Sequence, residues 1–180
     1  MQIKLWIVPL SILFAAQAAF ACTITQQPDP FTMIAGADLI LRVTAVDYFG
    51  PSPIGPRITD VPDSDVRFSI EEILKGNYVK RDIVLPGYLS ENDDWNDQKP
   101  PYSFVRPGGR SGSCYANTYR KGGQFLLVLK NWNGPISEVY GARRSDGYTV
   151  DWYALGPANE QLRSADDPWV QWVRERLKEK

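Results

Sequence analysis

Short apolar segments with the two-residue period of β-strands dominate the middle of this chain, and a helical pattern occurs only near its C-terminus. The clearest predicted strand is Asp38–Tyr48. One face of it should carry Leu39, Leu41, Val43 and Ala45, and the other Ile40, Val46 and Tyr48. Because no helices alternate with the strands, the pattern argues against a parallel sheet and favours a small, mainly β barrel of five or six strands.

Further strands are predicted before and after a long irregular stretch, Gly87–Gly123. A strand beginning at Val66 loses its alternation at Glu71–Leu74, which indicates a β-bulge before the turn at Lys75–Asn77. An ordinary strand would place Glu71 and Glu72 on opposite faces, which makes them poor candidates for a catalytic pair. The other predicted strands are Arg81–Leu85, Gln124–Leu129, and Ile136–Ala142 with Tyr148–Tyr153, the last two flanking a hairpin turn at Ser145–Gly147.

The two ends of the predicted β domain differ in character. Gln26–Ala37 is polar and contains proline, and is predicted to be an extended lead-in. At the other end, Asp166–Pro168 supplies an acidic N-cap and a proline at the first helical position. Trp169, Trp172, Val173 and Leu177 then recur at helical spacing, which predicts an amphipathic helix over residues 168–179 within a C-terminal extension, 155–180. Packing on the body is the simpler role for both tryptophans, and an exposed aromatic platform is the alternative.

Residues 1–21 are typical of a secretory signal peptide. Lys4 supplies the positive charge, a short apolar run follows, and Ala19-Phe20-Ala21 places small residues where signal peptidase acts. Cleavage after Ala21 would make Cys22 the first residue of a secreted, periplasmic or extracellular protein, whereas cleavage after Ala18 would leave three residues before it. No segment is apolar for long enough to predict a membrane span.

Composition excludes several classes of function. The chain has no histidine, which excludes Ser-His-Asp and Cys-His catalysis and histidine-based zinc sites. Its 20 basic and 21 acidic residues give a net charge of −1, which does not attract nucleic acid or an anionic membrane. Neither a cofactor nor a resident metal ion is predicted.

The chain has two cysteines, Cys22 and Cys114. In an exported protein they predict one disulfide, with two free buried thiols as the alternative. A bond closing a loop of ~90 residues would stabilise the fold by roughly 4–5 kcal/mol in the chain-entropy account. Cys22 could instead be a lipid anchor, which would consume both its amine and its thiol.

Several motifs follow one another in a fixed order: Cys22-Thr23, Ala37–Arg42, Ile73–Gly76 and Gly123–Leu127, with Cys114 between the third strand and the last of these. In this order they resemble the tissue inhibitors of metalloproteinases and the wider netrin-like module. The resemblance covers about Cys22 to Lys130. It implies a five-stranded OB-like barrel, here assigned to residues 22–154, and a Cys22–Cys114 disulfide.

The resemblance also implies a mode of action. In those inhibitors the α-amine and carbonyl oxygen of the mature N-terminal cysteine chelate the catalytic zinc of the protease, and the next side chain enters its specificity pocket. Cys22 matches the chelating residue and Thr23 the pocket residue. One residue can supply both groups as a five-membered chelate at the open position of a catalytic zinc. A disulfide would hold that residue rigid and lower the entropic cost of binding.

Two loops are weaker candidates for ligand sites. Asn92, Asp93, Asp94, Asn96 and Asp97 could supply oxygen ligands to calcium, although a solvated acidic loop is the simpler interpretation. Gly108–Gly112 could hold an anion with backbone N–H groups and Arg110, although it does not join a strand to a helix. The polar run Asn159–Arg163 is predicted to cap or pack beside the helix.

These observations lead to one expectation and one alternative. We expect an exported, monomeric, non-enzymatic binding module, and the sharper hypothesis is that it inhibits a zinc metallopeptidase through Cys22. The alternative is an envelope interaction module that binds a protein or a glycan through the barrel face and the Gly87–Gly123 loop, without inhibitory activity.

Overall fold

β-strands make up most of the regular structure in the computed structural model, which describes residues 29–50, 62–97, 100, 106, 116–135 and 149–179. The strands are β1 Leu39–Tyr48, β2 Asp65–Lys75, β3 Asp82–Pro86, β4 Tyr88–Ser90, β5 Thr118–Arg120, β6 Gln124–Pro135 and β7 Thr149–Leu162. The helices in these ranges are α1 Pro30–Gly36 and α2 Pro168–Lys178. A mainly β fold with a C-terminal helix is therefore confirmed.

The main sheet has five strands in the order β3-β2-β1-β6-β7, with every neighbouring pair antiparallel. A second sheet is formed, in the described ranges, by β4 and β5, which run parallel. Within the described residues the main sheet does not close into a barrel. Its edge strands β3 and β7 approach each other, but a groove lined by side chains of both separates them, and they form no hydrogen-bonded ladder.

The central strand β1 shows how far the alternating pattern determines the fold. Its odd-numbered residues from Leu39 to Ala45 face one hydrophobic cluster and Ile40 faces the other, as predicted. Tyr48 packs against the first cluster, so its predicted face is wrong. The reason is an irregularity between Ala45 and Asp47, where one extra residue reverses the side-chain alternation.

The predicted bulge in β2 is confirmed. Register with β1 shifts at Glu71 and again at Leu74, and Gly76 ends the strand with a φ of 89°. The prediction that Glu71 and Glu72 lie on opposite faces is wrong. Glu71 accepts a hydrogen bond from Thr44 and Glu72 one from Arg42, and these partners share a face of β1. The irregular register therefore brings both carboxylates to one side of the sheet.

Two hydrophobic clusters cover the two faces of the sheet. The first cluster is formed by β-strand residues, and Phe68, Tyr119 and Phe125 pack edge to face within it. The other cluster joins the sheet to both helices through Ile40, Leu126 and Val128. Each cluster thus excludes water from one side of the central strands, which accounts for the complete burial of consecutive residues at Leu39–Leu41 in β1 and Phe125–Leu129 in β6.

Helix α1 corrects the extended lead-in that was expected at Gln26–Ala37. Asp29 is its N-cap and accepts the backbone N–H of Thr32 at 3.0 Å, while Pro30 occupies the first turn. Met33 and Ile34 bury the inner face of this helix against the sheet. The burial of these side chains stabilises a helix that is too short to persist alone.

Helix α2 confirms the predicted C-terminal helix. Asp167 caps it and Pro168 is its first residue. Trp169 is buried and Trp172 half-buried in the cluster shared with α1, so both pack on the body as expected. Arg174 extends from the helix to Glu72 of β2 at 2.7 Å, which adds an ion pair to this contact.

β6 and β7 are longer than predicted, and they pair along most of their length. The predicted boundary between residues 154 and 155 falls inside β7. The predicted strand Ile136–Ala142 and the turn Ser145–Gly147 lie outside the described residues, as do residues 1–21. The stretch expected to be irregular, Gly87–Gly123, contains the short strands β4 and β5.

Candidate functional site

The residues that the sequence assigns to metallopeptidase inhibition, Cys22, Thr23 and Cys114, lie outside the described residues. The same is true of Gly108–Gly112. The first described residue after Cys22 is Asp29, the N-cap of α1. Zinc chelation, the disulfide and a lipid anchor on Cys22 therefore remain predictions.

The acidic loop that was considered for calcium is bound by arginines. Asp93 pairs with Arg120, Asp94 with Arg106 and Asp97 with Arg163, each at 3.0 Å. Trp95 lies beside them with the Arg163 guanidinium 5.4 Å from its ring centre. Across the described ranges, no group of three potential ligands among His, Cys, Asp and Glu could hold a metal ion. The carboxylates of this loop act as ion-pair partners that fix its course.

Arg106 is the most deeply placed charged group of the described chain, with 0% exposure. Its guanidinium donates to the Asp94 carboxylate, to the backbone carbonyl and side-chain Oδ1 of Asn159, and to the carbonyls of Ala116 and Thr118. It also lies 5.1 Å from the ring centre of Phe125 and 5.3 Å from that of Tyr119. A buried charge is tolerated only when it is paired and hydrogen-bonded in this way.

Electrostatic effects in this cluster oppose one another. Burial lowers the pKa of Arg106 from its ordinary value, while Tyr119, Asp94 and Glu160 favour its charged form. Burial also raises the pKa of Tyr119 to about 12, with Arg106 acting in the opposite direction. Tyr119 therefore stays protonated over the physiological range, and the hydrogen bonds of Arg106 make the cluster a fixed anchor for the acidic loop.

The anchor explains the polar run Asn159–Arg163, which the sequence assigned to capping or packing beside the helix. Asn159, Glu160 and Gln161 are buried residues of β7. Asn159 accepts from Arg106 and donates to the Tyr119 hydroxyl, while Gln161 binds Asp93 and the backbone N–H of Asp94. The polar side chains of this strand thus hold the acidic loop against the sheet. Sequence alone could not show this, because the partners are 40 to 68 residues away.

A groove of about 290 Å³ lies where β3 and β7 approach each other. β3 contributes Asp82–Val84 and β7 contributes Val150–Trp152, while Phe49, Tyr78 and Lys80 complete its walls. Val150 and Ile83 are buried at its base, and Phe49 is 59% exposed at its rim. Sequence reasoning did not identify this groove, since its two walls are far apart along the chain.

Two aromatic side chains form one wall of the groove. Tyr78 and Trp152 pack edge to face with ring centres 6.1 Å apart, and both also contact the hydrophobic cluster that contains Phe68. The Tyr78 hydroxyl donates to the backbone carbonyl of Asp82 at 3.2 Å. These contacts hold the two rings in place, so the wall is formed before any ligand arrives.

The charged groups of the groove are two carboxylates, Asp82 and Asp151, and one ammonium group, Lys80. Burial raises the pKa of Tyr78 above its ordinary value, and the negative charges of Asp82 and Asp151 raise it further. Both carboxylates therefore contribute negative electrostatic potential beside the Tyr78 hydroxyl. An arrangement of aromatic rings, carboxylates and one amine can bind a polar or charged group without transforming it.

No protein-family model matches this sequence, and no curated protein or solved structure is significantly similar to the chain. Among the residues that the structure describes, no helix is both long enough and apolar enough to cross a membrane.

Proposed function

We propose that this chain is an exported, non-catalytic binding module built on an OB-like scaffold. The observation that carries the proposal is the order β3-β2-β1-β6-β7, in which the two edge strands come together at a lined groove. Alternating antiparallel neighbours make β3 and β7 both parallel to β1. Pairing β3 with β7 would complete a five-stranded barrel, and OB folds are partly open five-stranded barrels that bind ligands.

The sharper form of the proposal is inhibition of a zinc metallopeptidase by the mature N-terminus. Its support is the position of Cys22 directly after Ala19-Phe20-Ala21, with Cys114 as a disulfide partner. A freed α-amine and the Cys22 carbonyl would occupy the open position of the protease zinc, and Thr23 would enter the specificity pocket. Met33 and Ile34 fix α1 on the sheet, so Asp29, the first described residue after Cys22, has a defined position.

The test compares the mature protein beginning at Cys22 with a form carrying one additional N-terminal alanine. Both are assayed against a panel of zinc metallopeptidases. We expect inhibition by the first form and its loss in the second, because acylation of the amine removes a ligand to zinc. Equal inhibition by both forms, or by neither, would refute chelation by Cys22.

A second candidate is favoured by the groove itself: an envelope interaction module that binds a protein through the β3–β7 groove. A photoreactive residue can be placed at Val84, which lines the groove, and as a matched control at Ile73, which is exposed on β2. Crosslinking of one defined protein from Val84 alone supports this function. The same products from both positions would count against it.

A further inference from the structure

We propose that the β3–β7 groove receives a cationic side chain, lysine or arginine, presented by an exposed segment of a partner protein. This inference rests on the proposed interaction function and names the chemistry that the groove recognises. The occupant is set by three features of the described residues: an aromatic wall, two carboxylates that face it, and a volume suited to a single long side chain.

The aromatic wall provides a surface for a cation. Trp152 and Tyr78 are half-buried, and their mutual contact and the Tyr78–Asp82 hydrogen bond hold them in place. A cation above a tryptophan or tyrosine ring is attracted by the negative face of the π-system, and the attraction grows as water is excluded. The alkyl stem of the same side chain can contact the rim residue Phe49, as long cationic side chains do when they cover apolar surface.

The carboxylates supply charge complementarity. Asp38 and Asp47 elsewhere on the sheet each form an ion pair with a lysine of this chain. Asp82 and Asp151, by contrast, form no ion pair with any other residue in the described ranges, and both are exposed. Their combined charge also acts on Tyr78. A guanidinium or ammonium group entering the groove would therefore meet two carboxylates that have no ion-pair partner among the described residues.

Lys80 is the internal competitor. Its ammonium group lines the same groove and reduces the negative potential there. A cationic ligand must act against this charge, whereas an anionic ligand would be attracted by it. Removal of the Lys80 charge should therefore raise the affinity for a cationic ligand and lower the affinity for an anionic one. The direction of the change shows which kind of ligand the groove prefers.

The experiment measures binding of tetra-arginine to the full mature protein by isothermal titration calorimetry at 50 mM and 200 mM salt. Tetraglutamate and a neutral chitotetraose are the comparison ligands. We expect tetra-arginine to bind more tightly than both, and more weakly at high salt because the contact is exposed to solvent. Tighter binding of tetraglutamate or chitotetraose would overturn the proposal and, in the second case, indicate a glycan site.

Point variants assign that binding to the groove. Asp82→Asn and Asp151→Asn should each weaken tetra-arginine binding by about two- to fivefold, the range of a solvent-exposed ion pair. Lys80→Gln should strengthen it by a similar factor. Asp47→Asn, an exposed carboxylate on β1 outside the groove, is the matched control and should leave the affinity unchanged. If all four variants alter binding equally, the peptide is bound non-specifically and the proposal fails.

Trp152→Leu examines the aromatic wall separately, since leucine keeps apolar contact with the core. It should weaken tetra-arginine binding by about three- to tenfold, and unchanged affinity would remove the cation–π part of the proposal. Failure of the cation-binding proposal can be distinguished from failure of the proposed protein-binding function. Crosslinking at Val84 reports whether any protein occupies the groove, and the calorimetry reports whether a cation is what it recognises.

Discussion

The guanidinium of Arg106 donates two hydrogen bonds to one oxygen, Oδ1 of Asn159, from Nε at 3.0 Å and from Nη2 at 2.7 Å. This contact joins a residue of the long loop to the edge strand β7, 53 residues further along the chain. It is the centre of the polar cluster that holds the acidic loop against β7.

Replacement of Arg106 by leucine should lower the free energy of unfolding by about 3–5 kcal/mol. The reason is that Asp94 and Asn159 would lose the hydrogen bonds that the buried guanidinium donates to them. Urea denaturation measures this loss. Arg120→Leu is the control, since its pair with Asp93 is exposed and should contribute less than about 1 kcal/mol. Equal losses for both variants would mean that the buried network has no special role.

The N-cap of α2 provides a second test. Asp167 accepts the backbone N–H groups of Trp169 and Arg163, each at 3.0 Å. Asp167→Ala should therefore cost about 1–2 kcal/mol in thermal or urea unfolding. The neighbouring Asp166 makes only a 3.4 Å contact with the Gln171 side chain, so Asp166→Ala should be nearly neutral. The reverse order would contradict the assigned helix start.

The ion pairs of Glu72 should make part of the free energy of unfolding sensitive to acid. Burial alone would raise its pKa, but hydrogen bonds and charges from Arg174 and Arg42 outweigh burial and lower the pKa below its ordinary value of 4.5. A depressed pKa in the folded state contributes stability above pH 4.5 that is lost as the pH falls through the folded value.

Glu72→Gln should therefore flatten the decline in unfolding free energy below pH 4.5, measured by urea titrations at several pH values. Glu175→Gln, on the exposed side of α2, is the control and should retain the slope of the wild-type protein. An unchanged slope in Glu72→Gln would show that the ion pairs with Arg42 and Arg174 do not persist in solution.

The buried hydroxyl of Tyr119 should make the free energy of unfolding decrease at alkaline pH. Because its pKa is raised from 10.0 to about 12, the folded protein holds a proton that the unfolded chain releases. This stability is present below pH 10 and is lost as the pH rises towards 12. Tyr119→Phe should reduce the alkaline decline in unfolding free energy, whereas Tyr153→Phe on β7 should not. Identical alkaline profiles for both variants would refute burial of the Tyr119 hydroxyl.

Local patterns in the sequence predicted much of the fold. The alternation from Leu39 to Ala45 in β1, the slip at Glu71–Leu74 and the Asp167-Pro168 helix start depend on neighbours in the chain, and all three are confirmed. Helix α1 was missed although Asp29-Pro30 carries the same cap and proline pattern. Only seven residues long, it depends on packing against the sheet, which no local pattern reveals.

The groove and the Arg106 cluster could not be predicted, because both depend on strand order. Arg106 looks like an ordinary loop arginine until β7 places Asn159 beside it. Asp82 is near Tyr78 in the chain, but Asp151 joins them only when the edge strands β3 and β7 approach each other. The predicted site at Cys22 came instead from its place after a signal-like segment, and it awaits a direct test.

Intact mass and N-terminal sequence of the secreted protein test the central claim most directly, because the inhibitory function requires a free amine on a disulfide-linked Cys22. We predict an N-terminus at Cys22, no acyl group, and a mass reduced by the two hydrogens lost in a Cys22–Cys114 bond. A protein that begins at Ala19, or that carries a lipid on Cys22, would contradict it.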